Sequence, residues 1–106
     1  MNVDIDLTLR AAKAADYEAY IAKLDWRDMV FIKGMLFSPL TNLNHAMRLL
    51  NDAGHTLEVG AGVVAVYKFG VGVETRVPVG EGDYWVQMCN AIVTNVAKGF
   101  DDEQMV

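Results

Sequence analysis

Two histidines, one cysteine and one serine are the residues of this chain best suited to acid–base or nucleophilic chemistry. None has a partner at a spacing that chemistry requires. His45 sits among Asn42, Asn44 and Arg48, and His55 follows Gly54. A zinc site takes three or four ligands, and a lone cysteine with two histidines at these intervals matches no ligand pattern. A general acid or base needs a second group within hydrogen-bond reach, which neither histidine has in sequence. Both read as solvated surface residues. Cys89 is followed and preceded at helical spacing by Trp85, Met88, Ile92 and Val93. A nucleophilic thiol needs an electropositive, partly exposed setting, so Cys89 reads as an inert core thiol. Ser38, before Pro39, suits a helix cap. No catalytic, metal-binding or cofactor-binding residue is assigned, and the chain reads as leaning away from an enzyme.

The carboxylates offer a different chemistry. Asp4, Asp6, Glu58, Glu74, Glu81 and Asp83 gather on one side if the first strand pairs with the later hairpin. Such a group binds a divalent cation or docks on a basic surface. Solvated faces and caps also account for each one separately.

These residues are carried by a chain of 106 residues, a common size for one domain, here 1–106 with a short acidic tail at 101–106. Hydrophobic residues make up 53%, and the formal charge is −5. The lysines and arginines are scattered, so direct nucleic-acid binding is disfavoured. No apolar run is long enough for a membrane span, and the start lacks the basic and apolar regions of a secretory signal. A single cysteine fits a reducing compartment, which points to a cytoplasmic protein.

Val3 to Arg10 alternates apolar and polar residues and reads as a strand. Ala11 to Leu24 reads as a helix, with Tyr17, Tyr20, Ile21 and Leu24 on one face. Met29 to Phe37 is apolar almost all round, so periodicity cannot separate helix from strand there. An N-cap pattern over Asp25 to Asp28 tips it toward helix. Pro39 opens a further helix through Leu40, Leu43, Met47 and Leu50, closed by Gly54. Leu57–Phe69 and Val73–Val79 read as the arms of a hairpin. A three-residue Gly70-Val71-Gly72 loop sets Phe69 against Val73, Tyr67 against Thr75 and Lys68 against Glu74. A two-residue loop would set Tyr67 against Glu74 and Ala65 against Arg76, putting charge on the face to be buried. The last helix follows Asp83, with an apolar stripe of Trp85, Met88, Cys89, Ile92 and Val96, and ends at Gly99.

Leu57 to Ala65 resembles the glycine loop of dinucleotide-binding proteins and of methyltransferases. That loop must open a helix, whereas Val63 to Phe69 continues a strand. Too few residues follow Gly62 for the rest of a doubly wound sheet. Gly60 and Gly62 read instead as a bulge or a close approach.

The expected class is α+β, with β-α-α-α-β-β-α order and helices on one face of a three-stranded antiparallel sheet. An open sheet edge and apolar residues including Trp26 and Phe37 suit a small non-catalytic interaction domain, an inhibitor or accessory factor of phage or mobile-element type, binding a larger protein. Its expected contact residues are Asp4, Asp6, Glu58, Glu74, Trp26 and Phe37. The alternative is a small-ligand-binding or enzymatic homodimer with a pocket between sheet and helices. Burial of Cys89 carries its own expectation. Cys89→Ser should lower stability by about 1 kcal/mol or more, and a thiol reagent should label the native protein slowly.

Overall fold

Helix α3 (Tyr84–Gln104) is the centre of the structure, because it is apolar around most of its girth. Cys89, Ala91, Ile92, Val93, Val96 and Ala97 are all buried, which a helix achieves only with neighbours on several sides. The computed structural model describes residues 3–70, 72–80 and 82–104. Before α3 come α1 (Val3–Ala14), β1 (Ala19–Leu24), β2 (Arg27–Ile32), β3 (Met35–Leu36), α2 (Leu43–Ala53), β4 (Thr56–Gly60), β5 (Val63–Lys68) and β6 (Val73–Pro78). The class is α+β. The strands form two antiparallel three-stranded sheets, β1-β2-β3 and β4-β5-β6, rather than the single sheet expected. Helices α1 and α2 and the second sheet all pack on α3, and the first sheet packs on α1.

The first segment is a helix, not a strand. Its alternation is also compatible with a 3.6-residue repeat, and Thr8, Ala11, Ala12 and Ala15 are the positions buried. The alanines that follow extend one continuous helix back through Val3–Arg10. Asp4 and Asp6 lie in its first turn, where the helix dipole favours negative charge, and Asp6 pairs with Arg10 at 3.1 Å. The helix stops well short of Leu24. Asp16 adopts φ 62°, while Asp16 N–H donates to Lys13 O and Tyr17 N–H to Ala12 O. That pair of bonds is a Schellman stop with aspartate in the left-handed position.

Residues 19–36 form two hairpins instead of helix. Asp25 and Trp26 have φ of 51° and 69°, and Lys33 and Gly34 have 53° and 79°. Positive φ at both central residues makes each a type I′ turn, the two-residue connection that matches strand twist. The Asp25–Asp28 pattern is therefore a turn, not a helix cap. Helix α2 begins at Leu43, after Pro39 and Leu40, because Asn42 caps it by accepting His45 N–H at 3.2 Å. Gly54, at φ 76°, closes it as expected.

A third type I′ turn at Ala61-Gly62 divides Leu57–Phe69 into β4 and β5, in place of a bulge. The β5–β6 register is Lys68↔Val73, Tyr67↔Glu74, Ala65↔Arg76. It is displaced by one residue from the expected pairing, and Val71 of the expected loop lies outside the described residues. Val64 and Val66 therefore face α3 together with Thr75 and Val77, whereas Phe69 is exposed. The compact valines fit closely against the helix. Tyr67 and Phe69 meet edge to face on the open side at 5.1 Å. Glu74 lies opposite Tyr67 and pairs with Arg76 at 2.8 Å.

Thr75 turns inward because its hydroxyl has a partner there. Lys98 Nζ donates to Thr75 Oγ1 at 3.1 Å, Thr75 Oγ1 to Asn95 Oδ1 at 2.9 Å, and Asn95 Nδ2 to His55 Nδ1 at 2.8 Å. Lysine can only donate, so the chain of bonds runs one way and leaves the proton of neutral His55 on Nε2. His55 is thus buried, not a surface residue. Helix α3 continues through Gly99, which packs beside the His55 ring instead of capping. The expected tail is helical as far as Gln104, and its last two positions lie outside the described residues.

Burial and the nearby Lys68 charge lower His55 from its ordinary 6.5 to about 4. Between those values the unfolded chain binds a proton that the folded chain refuses, so stability falls as pH falls from about 7 to 4. The loss should be on the order of 2–3 kcal/mol. Urea midpoints across this range should show it, and His55→Gln should flatten the slope between pH 7 and 5.

Candidate protein-interaction face

The strand pairing of the first sheet decides what each of its faces carries. Ala19, Ile21, Val30 and Ile32 share the face turned to α1, and Val30 is almost wholly buried there. The other face carries Tyr20, Ala22 and Leu24 from β1, Arg27, Met29 and Phe31 from β2, and Leu36 from β3. It is apolar except for Arg27 and has no carboxylate. Tyr20 and Phe31 stack across it with ring centres 5.9 Å apart. Tyr20 is 46% exposed and Leu24 44%. At the ends of the sheet, Trp26 is 95% exposed and Met35 74%. Single apolar residues on a surface are ordinary, but contiguous ones on one sheet face make that face the candidate interaction surface of the molecule.

Beside this face lies a cleft of about 470 Å³ between the turn after α1, the β2–β3 hairpin and α2. Phe37 forms part of its wall, stacking on His45 and meeting Tyr17 edge to face, each at 5.7 Å. His45 is half-buried rather than solvated, and its Nδ1 accepts the Ser38 N–H at 3.0 Å. Tyr17 donates its hydroxyl to Asp52, and burial together with that carboxylate raises the phenol above its ordinary range.

The expected contact residues do not form one site. Trp26 stands at the tip of the β1–β2 hairpin, next to the apolar face. Phe37 is buried and serves packing. Asp4 and Asp6 are in the first turn of α1, not on a strand. Glu58 and Glu74 share the open face of the second sheet, where Glu58 accepts the Tyr67 hydroxyl at 2.9 Å. Sequence reasoning set Tyr20 and Leu24 on the apolar face of a helix instead of a strand. It passed over Met29, Phe31 and Leu36, whose signal was the nearly continuous apolar stretch 29–37.

Cys89 is fully buried, and burial raises its thiol above the ordinary value, against nucleophilic use. Among the described residues no three His, Cys, Asp or Glu side chains converge to hold a metal ion. Among them too, no helix is long and apolar enough to cross a membrane. Comparison with protein-family models, characterised proteins and solved structures gives no match.

Trp26 combines near-complete exposure with a left-handed backbone, which bulky residues avoid at about 1–2 kcal/mol. Such a residue contributes little to the fold and is strained by it, a combination associated with function. Trp26→Gly should raise stability by about 0.5–1 kcal/mol, seen as a Tm higher by a few degrees. The same change should weaken binding of any partner seated on this face.

Proposed function

We propose that this chain is a small non-catalytic protein-interaction domain that binds a larger protein, as an inhibitor or accessory factor of the phage or mobile-element type does, in a reducing, cytoplasmic setting. The observation that carries this reading is the apolar outer face of the first sheet, with Trp26 at its tip. Desolvating Tyr20, Leu24, Phe31 and Leu36 against a partner supplies affinity through a few central anchors. The net charge of −5 lies outside this face, which has no carboxylate. It therefore steers encounter with a basic partner and sets salt dependence more than it sets affinity.

A second reading, a small-ligand-binding homodimer, is favoured by the cleft next to Phe37 and His45, whose volume suits a small molecule. The two readings separate experimentally. Tyr20→Glu with Leu24→Glu alters two exposed positions on one strand and should leave the circular dichroism spectrum and Tm nearly unchanged. Wild-type protein should retain a stoichiometric protein partner from an extract of its native cells, and the double variant should lose it. Equal retention by both would overturn the interaction reading, and a bound metabolite in the purified protein would favour the second.

A further inference from the structure

The cleft has a chemistry of its own, set by one donor without an acceptor. His45 is held in place on two sides, by the Phe37 ring stacked at 19° and by the Ser38 N–H donated to Nδ1. In the neutral ring the proton then sits on Nε2, and that N–H meets no acceptor among the described residues. Asp52, by contrast, is already engaged by the Tyr17 hydroxyl and lies 3.8 Å from Arg48. The cleft wall near His45 is apolar, made of Ile32, Met35, Leu36 and Phe37. Its charged rim balances Asp16 and Glu18 against Lys33 and Arg48.

We propose that this cleft receives one large apolar side chain of a protein partner, whose neighbouring backbone carbonyl accepts the His45 Nε2–H. The inference rests on the protein-interaction reading above and names the kind of group the partner must bring. A neutral acceptor fits better than a carboxylate, because Asp16 and Glu18 offset the two cations at the opening. A partner's side chain fits better than a free molecule, because Leu36 belongs both to the cleft and to the apolar face. A chain lying across that face therefore continues into the cleft without leaving apolar surface. The volume of about 470 Å³ accommodates such a group with its flanking backbone.

The probe is N-acetyl-phenylalaninamide, titrated into isotope-labelled full chain and followed by amide chemical shifts. Saturable shifts are expected at residues 17, 32–37, 45 and 48. His45→Ala should weaken the amide probe about five- to tenfold, the loss of one hydrogen bond. Toluene, which has no acceptor, should bind the wild type and His45→Ala equally, separating the donor's role from any loosening of the Ser38 turn. Absence of saturable shifts in the cleft would overturn the proposal, as would tighter binding of N-acetyl-phenylalaninate than of the amide. The Tyr20→Glu, Leu24→Glu variant should bind the amide probe as the wild type does. Loss of partner capture with intact probe binding then speaks to the face, and loss of probe binding with intact capture speaks against the cleft alone.

Discussion

Helix α3 is buried around almost its whole circumference, and the placement of the other elements follows from that demand. One neighbour cannot cover a helix whose positions 89, 91, 92, 93, 95, 96 and 97 are all withdrawn from water. Helices α1 and α2 and the inner face of the second sheet share the task. The one strongly polar position among these, Asn95, is satisfied by Thr75 and His55 from β6 and the end of α2, so the polar contact also fixes the sheet's register on the helix. A one-residue slip of β6 would withdraw Thr75 and leave the Asn95 amide buried without its donor, at a cost of about 1–3 kcal/mol.

Once α3 is covered in this way, the first sheet has no place against it. It packs on α1 instead, with one face covered and one open. A two-layer arrangement of that kind ordinarily shows polar residues outward. Here Tyr20, Leu24, Met29, Phe31 and Leu36 face outward, and the hairpin tip carries a tryptophan in a strained turn. The departure from the expected pattern is confined to residues 20–36, while the second sheet keeps Glu58, Glu74 and Arg76 on its open side. That open side also carries Tyr67 and Phe69, but interleaved with these charges, whereas the outer face of the first sheet has Arg27 as its one charged residue.

The parts of the fold legible in the sequence were those with a single physical cause. The α3 stripe from Met88 to Val96, the burial of Cys89, the Gly54 stop and the strand character of 57–79 each follow from one local rule, whereas Trp85, expected on the same stripe, is exposed. The misread parts were those where two rules competed. Alternation over Val3–Arg10 suits a strand until the following alanines extend a helix through it. The Asp25-Trp26 turn has no glycine, so the usual hairpin signature was missing. The β5–β6 register turned on Asn95, distant in sequence, which rewards an inward Thr75 that hydrophobicity alone would not choose. For the same reason His55 and His45 could not be seen as buried and half-buried: their partners come from other elements.

The misreading of Met29 to Phe37 is the most informative of these. Sequence reasoning treats a nearly continuous apolar run as one covered on all sides, because exposure of half of it to water is unfavourable by roughly 25 cal/mol for each Å² of apolar surface. In the structure one side of β2 is covered and the other is not. Both observations hold together if the uncovered side is covered when the protein is at work. Under the interaction reading proposed above, the run has the composition of a core because a partner would complete a second one, and the residues that obscured the secondary structure are those proposed for contact.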